Sequence, residues 1–376
     1  MKRRRLFSLK SLPAFSIVFC LSTLFLWAFL LIGAFTTPPT VAPSPTPSDS
    51  REESSTPTML PSRVQGLYTA LILGKESSGN NTDVIALASF SPDKARLVWL
   101  QIPRDTYYRF EGHPIKLGNL YAHLLARAES AGEEQPKTSA LEGVSRAVEQ
   151  LLALPVDYRA LVELSVLEDA VDAMGGVEIT LPYALHYEDP DQALSIHLPA
   201  GTQTINGAAA LGLARYRAGY ATADIGRLDG QKLLLSAIWR RARQGAGAVG
   251  LMAHLPSLLS RLSTNASLSD ALYFLPRLTS LKGDKILFAT LPGEGYRASD
   301  GIWYYLVPRS ALSHAAALLT GREQSDSAPD PDRLLTDPGD AELLAKYLAP
   351  SSLSAVTAKE LLEQGISIPL LPQAHD

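Results

Sequence analysis

Two kinds of apolar pattern alternate along this chain after residue 64. Short runs rich in β-branched and aliphatic residues read as strands: Leu67–Gly74, Asp83–Phe90 and Ala95–Ile102. Ser91-Pro92-Asp93-Lys94 supplies a turn between the last two, so three strands of one sheet are expected. Other stretches space their apolar residues three or four apart, as one face of a helix does. Ala140–Leu154 is the clearest, with Leu141, Val144, Val148, Leu151 and Leu152 in phase. Arg159–Val166 and Val177–Leu181 suit further strands, with a helix over Val166–Met174 between them. Helices are predicted over Gly207–Arg215 and Arg227–Arg243, a late strand over Lys285–Leu291, and one more helix by about Gly321. Helices interleaved with strands make an α/β layered domain.

The ends of the chain are patterned differently. Residues 1–11 carry Lys2, Arg3, Arg4, Arg5 and Lys10 and no acid, and residues 12–35 are apolar and uncharged. That span is long enough to cross a bilayer as one helix, and the basic residues before it place the N-terminus in the cytoplasm. No small-residue cleavage site follows, so the expectation is an uncleaved anchor and a single-pass protein of the cell membrane, with its folded part outside. Residues 36–63 are rich in Pro, Ser and Thr and read as a stiff stalk. The folded domain is expected over 64–321. Residues 322–376 are expected to be a linker and a short tail, with some helix pattern at Thr357–Gln364.

Composition narrows the chemistry mainly by exclusion. The net charge of −4 over 376 residues gives no basic signal for nucleic acid. Cys20 is the one cysteine, which excludes an intrachain disulfide and a cysteine metal site. The histidines show no zinc-ligand spacing along the sequence, and no G-x-S-x-G elbow is present. Gly74–Thr82, GKESSGNNT, has two glycines five apart, but Asn80-Asn81 stands where a phosphate-binding loop needs its lysine.

The positive signal is LARYRAGYATADIGRLDGQKLLL, Leu213 to Leu235. It packs Arg215, Arg217, Asp224, Arg227 and Gln231 into one short span. Arg227 and Gln231 share a helix face. Asp224 and Gly226 precede an apolar run as a helix entry does, which puts Arg227 in the first turn. A cation is unfavourable at that end of the helix dipole and calls for something negative beside it. The preceding helix is expected to start at an Asn206 cap and to end near Arg215, with Arg217 beyond it. Guanidinium groups gathered in this way suit a bidentate grip on phosphate, although the residues alone leave solvated surface arginines open.

The pattern A-R-x-R, a spacer, then D-x-G-R-x-x-x-Q resembles the C-terminal signature of the LytR-CpsA-Psr family of bacterial cell-envelope proteins. Further signatures occur upstream in family order. Ile102-Pro103-Arg104-Asp105-Thr106 matches an intact I-P-R-D-T motif, Lys116 and Tyr121 in KLGNLYAH match K-I/L-x-x-A-Y, and Asp172–Ile179 matches D-x-x-G-G-V-x-V/I. The glycines of this last motif are expected to close a helix before a strand. Glu76 and Asp83 stand where the family has two metal-binding carboxylates, Glu76 replacing the usual aspartate. Gly230 stands where many members have another arginine.

The resemblance implies an α/β fold with a central mixed β-sheet flanked by α-helices, preceded by one transmembrane helix. It implies a transferase that takes a glycopolymer, such as a teichoic acid or capsular polysaccharide, from a polyprenyl pyrophosphate carrier and joins it to a peptidoglycan sugar hydroxyl. Arg104, Lys116, Arg215, Arg217, Arg227 and Gln231 would hold the pyrophosphate. Asp83 with Glu76 would hold Mg2+. Asp105 or Asp224 would orient the arginines or accept the hydroxyl proton, with Arg217 at the reacting phosphate. The alternatives are a hydrolase acting on the same carrier, and a non-catalytic envelope regulator or lipid-binding protein.

Overall fold

The computed structural model describes residues 38–39, 63–75, 79–189, 194–216, 224–298, 301–322 and 341–365. The expected anchor, most of the stalk, Glu76, Arg217 and residues 323–340 lie outside the described residues. Among those described, no helix is long and apolar enough to cross a membrane.

The chain divides into two units. One comprises residues 1–40 and 267–276; the other, 41–266 and 277–376, holds every element given below except most of the helix Leu268–Ser280.

The strands are β1 Tyr68–Lys75, β2 Thr82–Ser91, β3 Arg96–Gln101, β4 Tyr107–Phe110, β5 His113–Lys116, β6 Tyr158–Glu163, β7 Val177–Leu181, β8 Leu185–Asp189, β9 Leu194–Leu198, β10 Gly201–Ile205, β11 Ser263–Thr264, β12 Ile286–Thr290, β13 Glu294–Arg297, β14 Trp303–Leu306 and β15 Ala355–Thr357. The helices are α1 Leu117–Ser130, α2 Pro136–Leu152, α3 Leu164–Ala173, α4 Gly207–Arg215, α5 Asp224–Ala242, α6 Gly245–Ser260, α7 Leu268–Ser280, α8 Arg309–Thr320, α9 Ala341–Leu348 and α10 Ala358–Gln364.

Seven strands form one mixed sheet in the order β11-β6-β1-β2-β3-β12-β15. β1 is parallel to β6 and β3 to β12, and β2 runs antiparallel between β1 and β3. The C-terminal ends of β1, β3, β6 and β12 therefore share one edge of the sheet with the start of β2. In open α/β sheets the edge beyond the strand carboxyl ends is where ligands bind.

The three strands expected to pair do so. Alternation sends Leu71, Leu73, Ile85, Leu87, Val98 and Leu100 into a core shared with α1, α2 and α8. The opposite face of the same strands carries Ala70, Ile72, Ala88 and Trp99, all only half-buried. A second core lies among α3, α4, α5, β7, β9 and β10, with Val171, Ile179, Ile196, Leu213, Leu233 and Leu234 inside it.

Val177–Leu181 is a strand, as expected, and pairs with β10 in a ribbon apart from the main sheet. One reading changes. The segment 341–365, read as tail, takes part in the fold: β15 extends the main sheet against β12, and Leu343 and Tyr347 of α9 join the first core. Thr357 and Glu360 form a reciprocal capping box at the start of α10.

Candidate active site

Most of the family-signature polar residues meet at the sheet edge defined above. Asp83 opens β2. Arg104 and Asp105 follow β3 in a tight turn, where Thr106 donates to the Pro103 carbonyl from both its backbone N–H (3.0 Å) and its hydroxyl (2.6 Å). Three further elements pin that turn. The Ile102 N–H donates to Ile85 in β2 at 2.9 Å, the Tyr305 N–H of β14 donates to the Asp105 carbonyl at 2.8 Å, and the first turn of α1 donates from Gly118 to Arg104 (2.8 Å) and from Leu117 to Thr106 (2.9 Å). Lys116 is placed by the β4–β5 hairpin, opposite Tyr107.

Gly118 is fixed by space. A Cβ there would stand 2.8 Å from the Thr82 carbonyl oxygen and 3.0 Å from the Arg104 Cβ and carbonyl. The Thr82 hydroxyl also donates to the Gly118 carbonyl at 3.1 Å. The starts of β2 and α1 and the Arg104 turn are thus in mutual contact.

Across this edge the charges alternate. Lys116 Nζ lies 2.7 Å from Asp105 Oδ1, and Asp105 Oδ2 lies 3.9 Å from Arg104 Nε. Arg104 Nη1 donates to Asp83 Oδ1 at 2.6 Å, and the same oxygen is 4.0 Å from Arg227 Nη1. Arg227 Nη2 also donates to the Asp83 carbonyl at 3.3 Å. Arg227 sits in the first turn of α5, where the sequence called for a negative partner. Its side chain is only 7% exposed, and a cation so far from water must be paired.

Gln231, one turn further along α5, has a different environment from the one expected. It is buried, its Nε2 donates to the Ala214 carbonyl at 3.0 Å, and its Oε1 accepts from Gln101 Nε2 at 3.3 Å. The Thr290 hydroxyl donates to Gln101 Oε1 at 3.2 Å. Gln231 thus joins β3, β12 and the C-terminal turn of α4, whose last residue is the half-buried Arg215. Gln101 belongs to no motif, and its only sequence signal is a polar residue closing an apolar strand.

Asn206 caps α4 as expected, its side chain accepting from the Ala209 N–H at 3.0 Å, and α4 ends at Arg215. Gly175 and Gly176 have φ of 75° and 85° between α3 and β7, the helix-closing turn that the sequence predicts. Arg217 and Glu76 lie outside the described residues. Asp224 begins α5, but its side chain is not among those described.

Comparison with known proteins settles the family. Residues 41–320 match the model of the LytR_cpsA_psr family. The chain belongs to that family. Among characterised relatives it is 25% identical, over 64% of its own length and 74% of the other's, to a polyisoprenyl-teichoic acid–peptidoglycan teichoic acid transferase TagU of Bacillus cereus strain AH820. It is 27% identical to the cell wall biosynthesis protein LcpA of Corynebacterium glutamicum, covering 65% of this chain and about half (48%) of that protein. Among solved structures, B. subtilis TagV superposes with a TM-score of 0.55 at 20% identity, over 69% of this chain and 97% of that one. A structure of TagT bound to LIIa-WTA superposes with a TM-score of 0.52 at 25% identity, over 68% of this chain and 91% of that one. These structures share the α/β architecture with its central mixed sheet.

Proposed function

We propose that this member of the LytR_cpsA_psr family transfers a glycopolymer from a polyprenyl pyrophosphate carrier to a peptidoglycan hydroxyl, leaving a phosphodiester. The transferase class is the one its TagU relatives are named for. The observation that carries the reading is the alternation Lys116–Asp105–Arg104–Asp83–Arg227 at a sheet edge. Two carboxylates hold three cations close together and aimed, and such a set is suited to two linked phosphates. That TagT has been captured with LIIa-WTA supports the same ligand chemistry here.

Phosphoryl transfer asks the protein mainly for positioning and charge neutralisation. The acceptor oxygen forms a bond to the glycan-side phosphorus while the bond from that phosphorus to the bridging oxygen breaks. The carrier leaves as polyprenyl phosphate. Arg104, Arg227 and Lys116 take up charge on the phosphate oxygens, with Arg215 and Arg217 completing the set. Asp105, held between Lys116 and Arg104, orients both. The acceptor proton passes to Asp105 or Asp224. Gln231 acts by holding the α4–α5 junction through Gln101 and Ala214.

Asp83 suits magnesium as one hard oxygen anchor, since that ion commonly takes one or two carboxylates and completes its shell with substrate phosphate and water. Among the described residues no cluster of three or more acidic, His or Cys side chains forms a self-sufficient metal cage, which is consistent with a metal that enters with the pyrophosphate. Bound there, the ion would neutralise phosphate charge.

For the lipid, Leu213, Leu233 and Leu234 are committed to the second core. The half-buried face of Ala70, Ile72, Ala88 and Trp99 is the apolar surface left for a polyprenyl chain. An N-terminal anchor over 12–35 would hold this domain at the bilayer where that carrier resides.

The test is an assay of the purified chain with a pyrophosphate-linked glycan, with and without peptidoglycan acceptor. Glycan appearing on the acceptor with release of polyprenyl phosphate supports transfer. Release of phosphate that is indifferent to acceptor identifies a hydrolase and overturns it.

A further inference from the structure

The β8–β9 hairpin carries a cluster that the transfer chemistry does not use. Its register sets His186 opposite His197 and Glu188 opposite Ser195, so all four share one face. That face is exposed, while Leu185, Ile196 and Leu198 on the other face are buried in the second core. The two imidazoles meet with their Nδ1 atoms 3.1 Å apart. On its far side the His197 ring offers Nε2 to Glu188 Oε1, and Glu188 also accepts from the Ser195 hydroxyl at 2.8 Å. A proton on His197 Nε2 leaves the lone pair on His197 Nδ1, aimed at His186.

We infer that His186 and His197 chelate one borderline transition-metal ion, of the zinc, copper(II) or nickel class, through their Nδ1 atoms, with Glu188 orienting His197 from behind. Metal–imidazole bonds of about 2.0–2.1 Å put two nitrogen ligands about 2.9 Å apart at a right angle and about 3.3 Å apart at the tetrahedral angle. The 3.1 Å separation lies between these, so one ion can replace the shared proton once the two rings, now 5.4 Å apart at their centroids, turn their Nδ1 lone pairs toward it. Imidazole nitrogens favour these metals over magnesium or calcium, which prefer oxygen. A carboxylate on the outer nitrogen of a ligating histidine fixes tautomer and ring orientation in established zinc sites. Among the described residues no third side chain completes the set. Water fills the remaining positions, and the affinity expected is of micromolar order.

The ion would clip β8 to β9. Ile196 of β9 packs under α4 at Gly212, where a Cβ would come within 3.3 Å of it. The clip therefore braces the helix whose last residue is Arg215.

The test uses the untagged, detergent-solubilised full chain titrated with copper(II) and with zinc, followed by electron paramagnetic resonance and calorimetry. Expected are one equivalent of tightly bound ion, copper hyperfine structure from two nitrogens, and at least about tenfold weaker binding in His186→Ala and in His197→Ala. Glu188→Gln is expected to weaken binding about tenfold with both nitrogens retained. His113→Ala and His254→Ala leave it unchanged. Binding that persists at full affinity in the His186→Ala/His197→Ala double variant overturns the site, as does a wild-type chain that takes up no ion at about 100 μM, well above the micromolar expectation.

Discussion

Arg104 donates to Asp83 at 2.6 Å across the edge of the sheet, joining the turn after β3 to the first residues of β2. The same carboxylate faces Arg227 from α5. Asp83 is therefore the point on which two guanidiniums from distant parts of the chain are aimed. Asp83→Asn keeps the volume and removes the charge. The expected result is a transfer rate lower by about a hundredfold or more, the order seen when a single preorganised electrostatic group is lost. Because the same carboxylate also faces the nearly buried Arg227, stability is expected to fall by more than the ~1 kcal/mol that a surface pair is worth. Parallel rate and unfolding measurements check both halves.

Gly118 tests the packing beneath that pair. An alanine methyl would overlap the Thr82 carbonyl and crowd Arg104. Overpacking of this kind costs about 1–3 kcal/mol. Gly118→Ala is expected to lose that much stability by denaturant titration and, in the folded fraction, to bind pyrophosphate more weakly because the Arg104 turn has moved.

Gln231→Leu separates support from contact. It leaves the Gln101 amide and the Ala214 carbonyl, both now bonded to Gln231, without their partner. Stranding buried polar groups costs about 1–3 kcal/mol each. A loss of stability is expected together with lower activity. A variant of unchanged stability that lost only phosphate affinity would show Gln231 to be a direct ligand.

Burial pushes the phenols of Tyr108 and Tyr121 up to about 12 from their ordinary 10.0, with Glu129 adding to the effect at Tyr121 and Arg146 opposing it at Tyr108. The folded chain therefore holds these protons more tightly than the unfolded chain. Their contribution is fully present below pH 10.0 and is lost as pH rises through about 12. Unfolding midpoints measured from about pH 9 to about pH 11 are expected to fall, and Tyr108→Phe is expected to flatten that decline.

Much of the fold was legible because period and burial agree. β1, β2 and β3 alternate cleanly, α2 keeps its apolar stripe, and α4 stops where its cap and its basic last turn say it should. Periodicity does not choose a partner, and so the pattern gives Val177–Leu181 as a strand without identifying β10 as its neighbour. α1 is not among the expected elements although Leu117, Leu120, Tyr121, Leu125 and Ala128 lie at helical spacing; Gly118 stands in its first turn, where the Thr82 carbonyl and the Arg104 turn leave no room for a side chain. β15 is three residues long, too short for any pattern, and exists as a strand because β12 offers it an edge. In the site, the I-P-R-D-T motif and Arg227 announced themselves by residue type. Gln101 did not, since its role comes from meeting Gln231 across 130 residues of chain. The His186–His197 pair escaped spacing rules because a hairpin, not a helix, brings it together.

The most direct test of the pyrophosphate grip is calorimetric binding of a polyprenyl pyrophosphate to the full chain, compared with Arg104→Ala and Arg227→Ala variants whose fold is checked by circular dichroism. Each truncation removes a charge-assisted contact of about 1.5–3 kcal/mol, so each is expected to weaken binding by roughly ten- to a hundredfold. Folded variants that bind the carrier as tightly as the wild type would contradict it.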